Sequence, residues 1–466
     1  MDIRHLPLYS PVTPAIVAAI RRALGDRCVI EDPDRMDEFA KDATALHRLP
    51  ELVVEPSEMQ QVQALLQLAN EHRFPVTPRG LGTGLAGGAV PVCGGVVLSM
   101  AKMNRILAID RQNLIAVVEP GVINLDLKTA ARKHGLFYPP DPASLDTCSI
   151  GGNAATNAGG SSCVKYGTTR DYVLGLEAVL PSGEPIKAGV QTRKGVVGYD
   201  LTHLLVGSEG TLAVITKLIL KLIAHPPAVS TIVALFPDLA FAMKSVSAIL
   251  GKGFAPCALE FLDRNCLQLV GNALPFESAG EAGAFLLVQT DGSPLVVDAE
   301  AEQMGEICLE HGAIDVILAP DSYKRAQMWE VRRQVSINIE HSCSLYIPED
   351  VVVPIGRIAE FVESLPDFEE RFGVKIYSFG HAGDGNIHLN ITAQGSDTLT
   401  KVEEGIATIL QKVISMGGTI SGEHGIGCAK KRFLQLELSP VSFGVQREIK
   451  KLFDPNLILN PGKIFC

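Results

Sequence analysis

Four side chains able to ligate a metal or move a proton fall close together late in the chain. They are His381 and His388 in YSFGHAGDGNIHLNI (377–391) and Glu423 and His424 in SGEHGIG (421–427). Three of the eleven histidines and a carboxylate therefore sit beside glycines. Two imidazoles and a carboxylate suit zinc, iron or manganese and leave coordination positions open for a substrate, unlike the closed ligand set of a structural site. A lone histidine is more often an ordinary core or surface residue. Four such groups with flanking glycines read as a metal site with a base next to it.

The elements that must position these groups are legible around them. KIYSF and NIHLNI alternate like strands, and AGDG between them is turn chemistry, so a hairpin is expected to hold His381 and His388 near one another. Upstream, DSYKRAQMWEVRRQVSINI reads as a helix carrying Trp329, Arg332 and Arg333. An arginine there has a role only if it faces the metal site; otherwise it is solvated. From residue 226 onward, STIVALF, CALEFLD and AFLLVQTDG alternate with helical stretches, the pattern of an α+β domain.

The first half is organised differently. ELVVEPSEMQQVQALLQLANEHRFPVTP reads as a strand, a helix opened by Ser57, and a second strand ending at Pro78. RGLGTGLAGG follows, with five glycines between 80 and 88 beside Arg79. These glycines lead through Pro91 into another apolar run instead of opening a helix, so they are not a Rossmann fingerprint. Backbone N–H groups of an irregular loop would hold an anion there. A second small-residue run, from Ser149 to Ser162, is expected to be an ordered loop that lets backbone approach a flat ring or a pyrophosphate. Strand signals resume in VLGLEAVLPSGEPI, a hairpin turning at residues 181–183, and in HLLVGSEGTLAVITKLILKL. The ending, FDPNLILNPGKIFC, is forced to be irregular by two prolines and a glycine; Asn460 and Lys463 either contact a ligand or merely cap the terminus.

Composition narrows the class. A chain of 466 residues, 47% hydrophobic, has material for two or three cores. A net charge of −11 with no basic block argues against nucleic acid as a partner. The ten cysteines show no CxxC and no cluster spacing, against a built-in iron–sulfur centre or a disulfide framework. Behind Thr13 and Pro14 the start reads as a helix without the marks of a secretory signal. The most apolar stretches are broken by lysines and fall short of a membrane span, so a cytoplasmic location is expected.

PRGLGTGLAGG, PPDPAS, GGNAATNAGG, VGSEGTL, GHAGDGNIH, SGEHGIG and LNPGK, in that order, resemble the vanillyl-alcohol-oxidase type of FAD-binding flavoprotein. The similarity covers nearly the whole chain. It lies in the branch of D-lactate dehydrogenases, glycolate oxidase catalytic subunits and D-2-hydroxyglutarate dehydrogenases. It implies an α+β fold with a two-part FAD-binding domain of the PCMH type, an α+β substrate domain, and a C-terminal segment returning to the flavin. Expected divisions are an N-terminal helical segment at 1–45, the FAD domain at 46–225, the substrate domain at 226–420 and the closing segment at 421–466.

By this resemblance Arg79, Gly80, Gly82, Thr83 and Gly84 would hold the FAD pyrophosphate. Pro140, Asp141, Ser144, Gly151, Gly152, Asn153 and Gly160 would line the rest of the flavin path, with Glu209, Gly210 and Ile215 flanking the adenine and Asn460 and Lys463 nearby. The glycine loop has no histidine, so the FAD is expected to be noncovalent. His381, His388 and Glu423 would hold the metal; Arg332, Ser336 and Asn390 would contact substrate; His424 would be the base. The implied chemistry is oxidation of a 2-hydroxy acid by hydride transfer to flavin, with the hydroxyl acidified by the metal.

Relatives acting on 2-hydroxyglutarate carry a lysine for the distal carboxylate after the arginine helix. Residues 336–354 contain neither Lys nor Arg, so a small acid such as D-lactate or glycolate is preferred. The electrons would pass to a separate acceptor: an electron-transfer flavoprotein, an iron–sulfur subunit, a quinone or oxygen. A homodimer is compatible with the resemblance. Alternatives are a D-2-hydroxyglutarate dehydrogenase, a metal-free oxidase or ether-lipid synthase relative, and a non-catalytic subunit of a larger oxidase.

Overall fold

Apolar runs bounded by turn residues form strands, and amphipathic runs form helices, in the computed structural model, which describes residues 9–270, 280–393 and 399–465. Cys466 and the opening of the N-terminal segment at 1–8 lie outside the described residues. The nine described cysteines are free thiols. Among the described residues, no helix is long and apolar enough to cross a membrane. The chain forms two compact units.

The first unit comprises the described parts of Met1–Gly159, Thr168–His225 and Glu423–Cys466. Its smaller sheet places Val96–Ser99 between Leu52–Val54 and Val76–Arg79 in parallel pairing, with Val29–Ile30 on the edge. The parallel strands Leu52–Val54 and Val96–Ser99 are buried throughout, as expected where both faces are covered. Helix Pro14–Leu24 is capped by the Thr13 side chain and buries Ile16, Ile20 and Leu24 in the core of this sheet. Helix Met59–His72 begins one residue later than Ser57 suggests. The Gln61 side chain folds back to accept the N–H groups of Ser57 and Glu58, which makes Glu58 the cap.

The larger sheet of this unit is antiparallel, with Val214–Lys221 at its centre between Ile115–Val118 and Val173–Val179. The hairpin read at PSGEPI is present, Val179 pairing with Pro185. Two local expectations fail. HLLVGSEG opens as a short helix, Leu201–Leu205, capped by Asp200, before the strand begins. Although residues 157–162 are irregular as expected, the first half of the run from Ser149 is likewise not loop but helix Ile150–Thr156, because Ser149 Oγ accepts the N–H of Gly152 and supplies the cap. Its glycines serve close packing: a Cβ on Gly151 would fall 2.4 Å from Pro120.

The second unit comprises Gly160–Gly167 and the described parts of Pro226–Gly422. Seven antiparallel strands run in the order Asp315–Leu318, Ala228–Phe236, Ala284–Gly292, Ala258–Leu262, Lys375–His381, Asn386–Ala393, Leu345–Val352. Helix Ser322–His341 buries Met328, Val331, Val335 and Ile339 against Leu235, Phe285, Leu287 and Phe379 of this sheet. That spacing is the helical repeat of one apolar stripe.

The C-terminal segment of the first unit is held by a buried ion pair. Lys450 Nζ donates to Asp454 Oδ2 at 2.6 Å and to the carbonyls of Thr211 and Leu459, while Asp454 also accepts the N–H groups of Ile458 and Leu459. Asp454 is fully buried and Lys450 nearly so. Asp454→Ala leaves that ammonium uncompensated and is expected to cost about 3–5 kcal/mol in urea denaturation; a loss below about 1 kcal/mol would show that water reaches the pair.

Candidate functional site

In the first unit the glycine loops converge on a cavity of about 340 Å³, within the range of small-molecule sites. Arg79, Gly80, Gly82, Thr83, Gly84, Ser144, Gly151, Gly152, Asn153, Glu209, Gly210 and Ile215 line it, and so do Glu423 and His424. Two of the glycines are packed against protein. A Cβ at Gly80 would lie 2.4 Å from Ser149 Oγ, and one at Gly82, where φ is +77°, would collide with the Arg79 guanidinium. Gly84 differs, because a Cβ there meets no atom within 4 Å. The wall at that point is bare backbone facing open space, as close approach to a ligand requires.

Arg79 is spent largely on shaping the loop, its guanidinium donating to the carbonyls of Lys41 and Glu38. Asn153 Oδ1 accepts from Asn124, whose amide also reaches the Pro140 carbonyl. Pro140 and Asp141 stand just outside the lining, which Pro142, Ala143 and Ser144 supply instead. Gly160 belongs to the second unit. Asn460 and Lys463 do not line the cavity either; the irregular ending turns them inward. Asn460 Nδ2 donates to the carbonyls of Gly88 and Glu209, and Lys463 Nζ to that of Val90, so both brace the loop from behind.

Glu209 sits in the left-handed region at φ +51°, and its two carboxylate oxygens accept the N–H groups of Ile426 and Gly427 at 2.8 and 2.7 Å. Burial pushes its carboxyl up, against the pull of those two N–H groups. This places SGEHGIG on the cavity wall and accounts for the position of Glu423 and His424 there.

In the second unit the expected hairpin is present, with His381 paired to Asn386 across Ala382, Gly383, Asp384 and Gly385. Gly385 has φ +88°, and a Cβ on it would strike the Val353 carbonyl. His388 pairs with Phe379, two residues before His381 on the same sheet face, so the two imidazoles are diagonal neighbours with centroids 5.2 Å apart at 89°. Asp350, fully buried opposite His388, accepts the Asn386 amide, the Ser421 hydroxyl and the Gly422 N–H, which anchors the chain just before Glu423.

Arg332 faces this hairpin and is not solvated. Its Nε donates to Glu260 Oε2 at 2.7 Å, and its guanidinium lies 4.3 Å from the centre of the Phe379 ring. Ser336, one turn further along the helix, is half-buried. Asn390 is 2% exposed; its Oδ1 accepts from Tyr346, while its Nδ2 has no hydrogen-bond partner, a condition that points to a ligand.

Sequence reading missed Glu260. It is fully buried on Ala258–Leu262, paired with His381, and its Oε1 meets His381 Nδ1 at 2.5 Å. Burial alone would raise its carboxyl, but the His381 ring and the Arg332 guanidinium outweigh it and hold the group below the usual carboxylate range. The available signal was a lone acid inside the apolar run ALEFL. Tyr346 and Asp350 carried no comparable mark.

The family model for the FAD-binding domain matches residues 50–189, and that for the C-terminal domain of FAD-linked oxidases matches residues 225–464. The chain is 39% identical over 447 residues to glycolate oxidase subunit GlcD of Bacillus subtilis, covering 94% of this chain and 95% of that one. It is 40% identical over 469 residues to D-lactate dehydrogenase of Anaerostipes hadrus, covering 98% of each. Among solved structures, substrate-bound p-cresol methylhydroxylase superposes with a TM-score of 0.78 at 18% identity, covering 96% of both chains, which speaks to the fold alone.

Because the folded state raises the Glu209 carboxyl, it binds a proton more readily than the unfolded chain does. Glu209's contribution to stability is therefore present below about pH 4.3 and is lost as the pH rises through its folded value. Urea denaturation of wild type and Glu209→Gln across that window is expected to show wild type losing ground to the variant as pH rises. Parallel profiles would contradict the assignment.

Proposed function

The chain belongs to the FAD-linked oxidases, in the branch of the D-lactate dehydrogenases and glycolate oxidase GlcD subunits, and from that membership we propose that it oxidises a small D-2-hydroxy acid, D-lactate or glycolate, to the 2-oxo acid with the help of a divalent metal. The observation that carries the reading is the presence of His424 and Glu423 on the wall of the same glycine-lined cavity that the FAD-binding motifs build.

The cavity suits FAD because Gly84 offers bare backbone to open space where a pyrophosphate or ring would lie. With no histidine in the glycine loop, the FAD is held noncovalently. Bound there, it supplies the hydride acceptor. The donor set suits a metal as well, because His381 turns Nδ1 to a carboxylate, the arrangement that orients metal-ligating imidazoles. His381, His388 and Glu423 would hold zinc, iron or manganese, whose charge makes a neighbouring hydroxyl easier to deprotonate.

The chain's own residues do the rest. His424 accepts the hydroxyl proton on its ring nitrogen. Arg332, already oriented by Glu260 and Phe379, takes the substrate carboxylate through its terminal nitrogens, with Asn390 Nδ2 and Ser336 as further polar contacts. The absence of Lys and Arg from residues 336–354 favours a monocarboxylate over 2-hydroxyglutarate. Electrons leave for a separate acceptor, an electron-transfer flavoprotein, an iron–sulfur subunit or a quinone, since the cysteine spacing provides no cluster.

Anaerobic addition of D-lactate or glycolate is expected to bleach the flavin rapidly, and a chelator to slow that bleaching. A yellow protein that no 2-hydroxy acid bleaches would remove the substrate assignment. His424→Ala is expected to keep its flavin while reducing it about 10²–10⁴-fold more slowly; reduction at the wild-type rate would exclude it as the base.

A further inference from the structure

We propose that Glu260 is a positioning residue whose single carboxylate sets both the metal-ligating histidine His381 and the substrate-binding arginine Arg332, so that metal affinity and substrate recognition are held by one group. The proposal rests on the metal and substrate reading given above.

Glu260 has no exposed surface and stands between Leu259 and Phe261 on a strand that is buried throughout. A charge in such a place is costly, and an apolar pair of similar volume could fill the same space as well or better. What an apolar residue cannot do is accept two different donors. The two oxygens of Glu260 are divided between them, Oε1 to His381 Nδ1 and Oε2 to Arg332 Nε. Strand register fixes the first contact, since Glu260 and His381 are direct cross-strand partners. Phe379, on the strand that carries His381, fixes the second by lying against the guanidinium.

The consequence for the histidine is chemical. An Nδ1–H donated to a carboxylate settles the tautomer, so that Nε2 carries the ligating lone pair, and it makes that nitrogen a better donor to a cation. For the arginine the consequence is directional. With Nε engaged and the guanidinium lying over the Phe379 ring, the terminal nitrogens are left for bidentate carboxylate recognition. Neither group can be reoriented without disturbing the carboxylate that serves the other.

Glu260→Gln tests this with little change of shape, because an amide can satisfy one of the two donors but not both. Chelator-stripped flavoprotein would be titrated calorimetrically with Zn²⁺ and, separately, Mn²⁺, with His388→Ala as the control lacking a ligand. The variant is expected to retain wild-type flavin content and to bind metal about 10–100-fold more weakly. At saturating metal its KM for D-lactate should still be raised severalfold. Equal metal affinity in wild type and variant would overturn the proposal while leaving the metal reading intact; an unchanged KM at saturating metal would overturn the arginine half. If wild type itself takes up no metal, the metal reading falls and the proposal with it. Should the variant not fold, ¹⁵N histidine spectra of the stripped wild type decide the matter: a His381 signal of the Nδ1–H tautomer, assigned by its loss in His381→Ala, is expected, and an Nε2–H tautomer would overturn the proposal.

Discussion

The first unit depends on bringing a distant part of the chain home. The backbone leaves it after His225 and returns at Glu423, and closing so long an excursion costs conformational entropy that local contacts at the return point must offset. Glu209 supplies them. Its carboxylate takes the N–H groups of Ile426 and Gly427, while its own carbonyl accepts from Asn460. A carboxylate is suited to this because it can accept from several donors at once, and in a buried setting each such bond is worth more than a neutral one. The left-handed backbone at Glu209 is the local strain that the arrangement carries. The N–H groups of Cys428 and Ala429, both bonded to the Ala86 carbonyl, tie the same segment to the glycine loop.

A second buried carboxylate organises the other unit by the opposite electrostatic balance. Around Glu209 two N–H dipoles and the more distant Lys463 ammonium do not offset burial, which raises its carboxyl. Around Glu260 there are an imidazole and a guanidinium, and these prevail over burial, holding it ionised. Asp263, three residues on, also goes up: burial raises it to about 6 although it accepts the N–H groups of Cys266 and Ser378. Backbone donors thus anchor loops at these sites, whereas full charges keep an acid negative in the interior.

Membership in the FAD-linked oxidases gives these features a common purpose. The glycine-lined cavity has bare backbone at Gly84, tight packing at Gly80 and Gly151, and Glu423 and His424 on its wall. The seven-stranded sheet needs a fixed register so that imidazoles two residues apart along its face meet as neighbours. Both call for rigidity, met in the sheet by strand register and around the cavity by residues that brace the loop from behind, such as Asn460 and Lys463.

Much of this was legible in the sequence, because strand alternation, turn glycines and ordered motifs are local signals. The hairpin bearing His381 and His388, the helix behind Thr13, and the glycine loop that opens no helix all follow from short-range rules. The small-residue run from Ser149 misled because composition alone does not distinguish a loop from a helix whose glycines pack; Ser149's cap and the contact of Gly151 with Pro120 decided it. Tertiary structure alone revealed Glu260, Asp350 and Tyr346, and the hydrogen bonds by which Asn460 and Lys463 brace the loop. Their roles arise from partners dozens to hundreds of residues away, and no periodicity encodes which buried acid will meet which distant donor. The sequence by itself determined the family, most of the elements and the chemical groups; which oxygen, nitrogen and carbonyl face one another was decided only when the strands took their register.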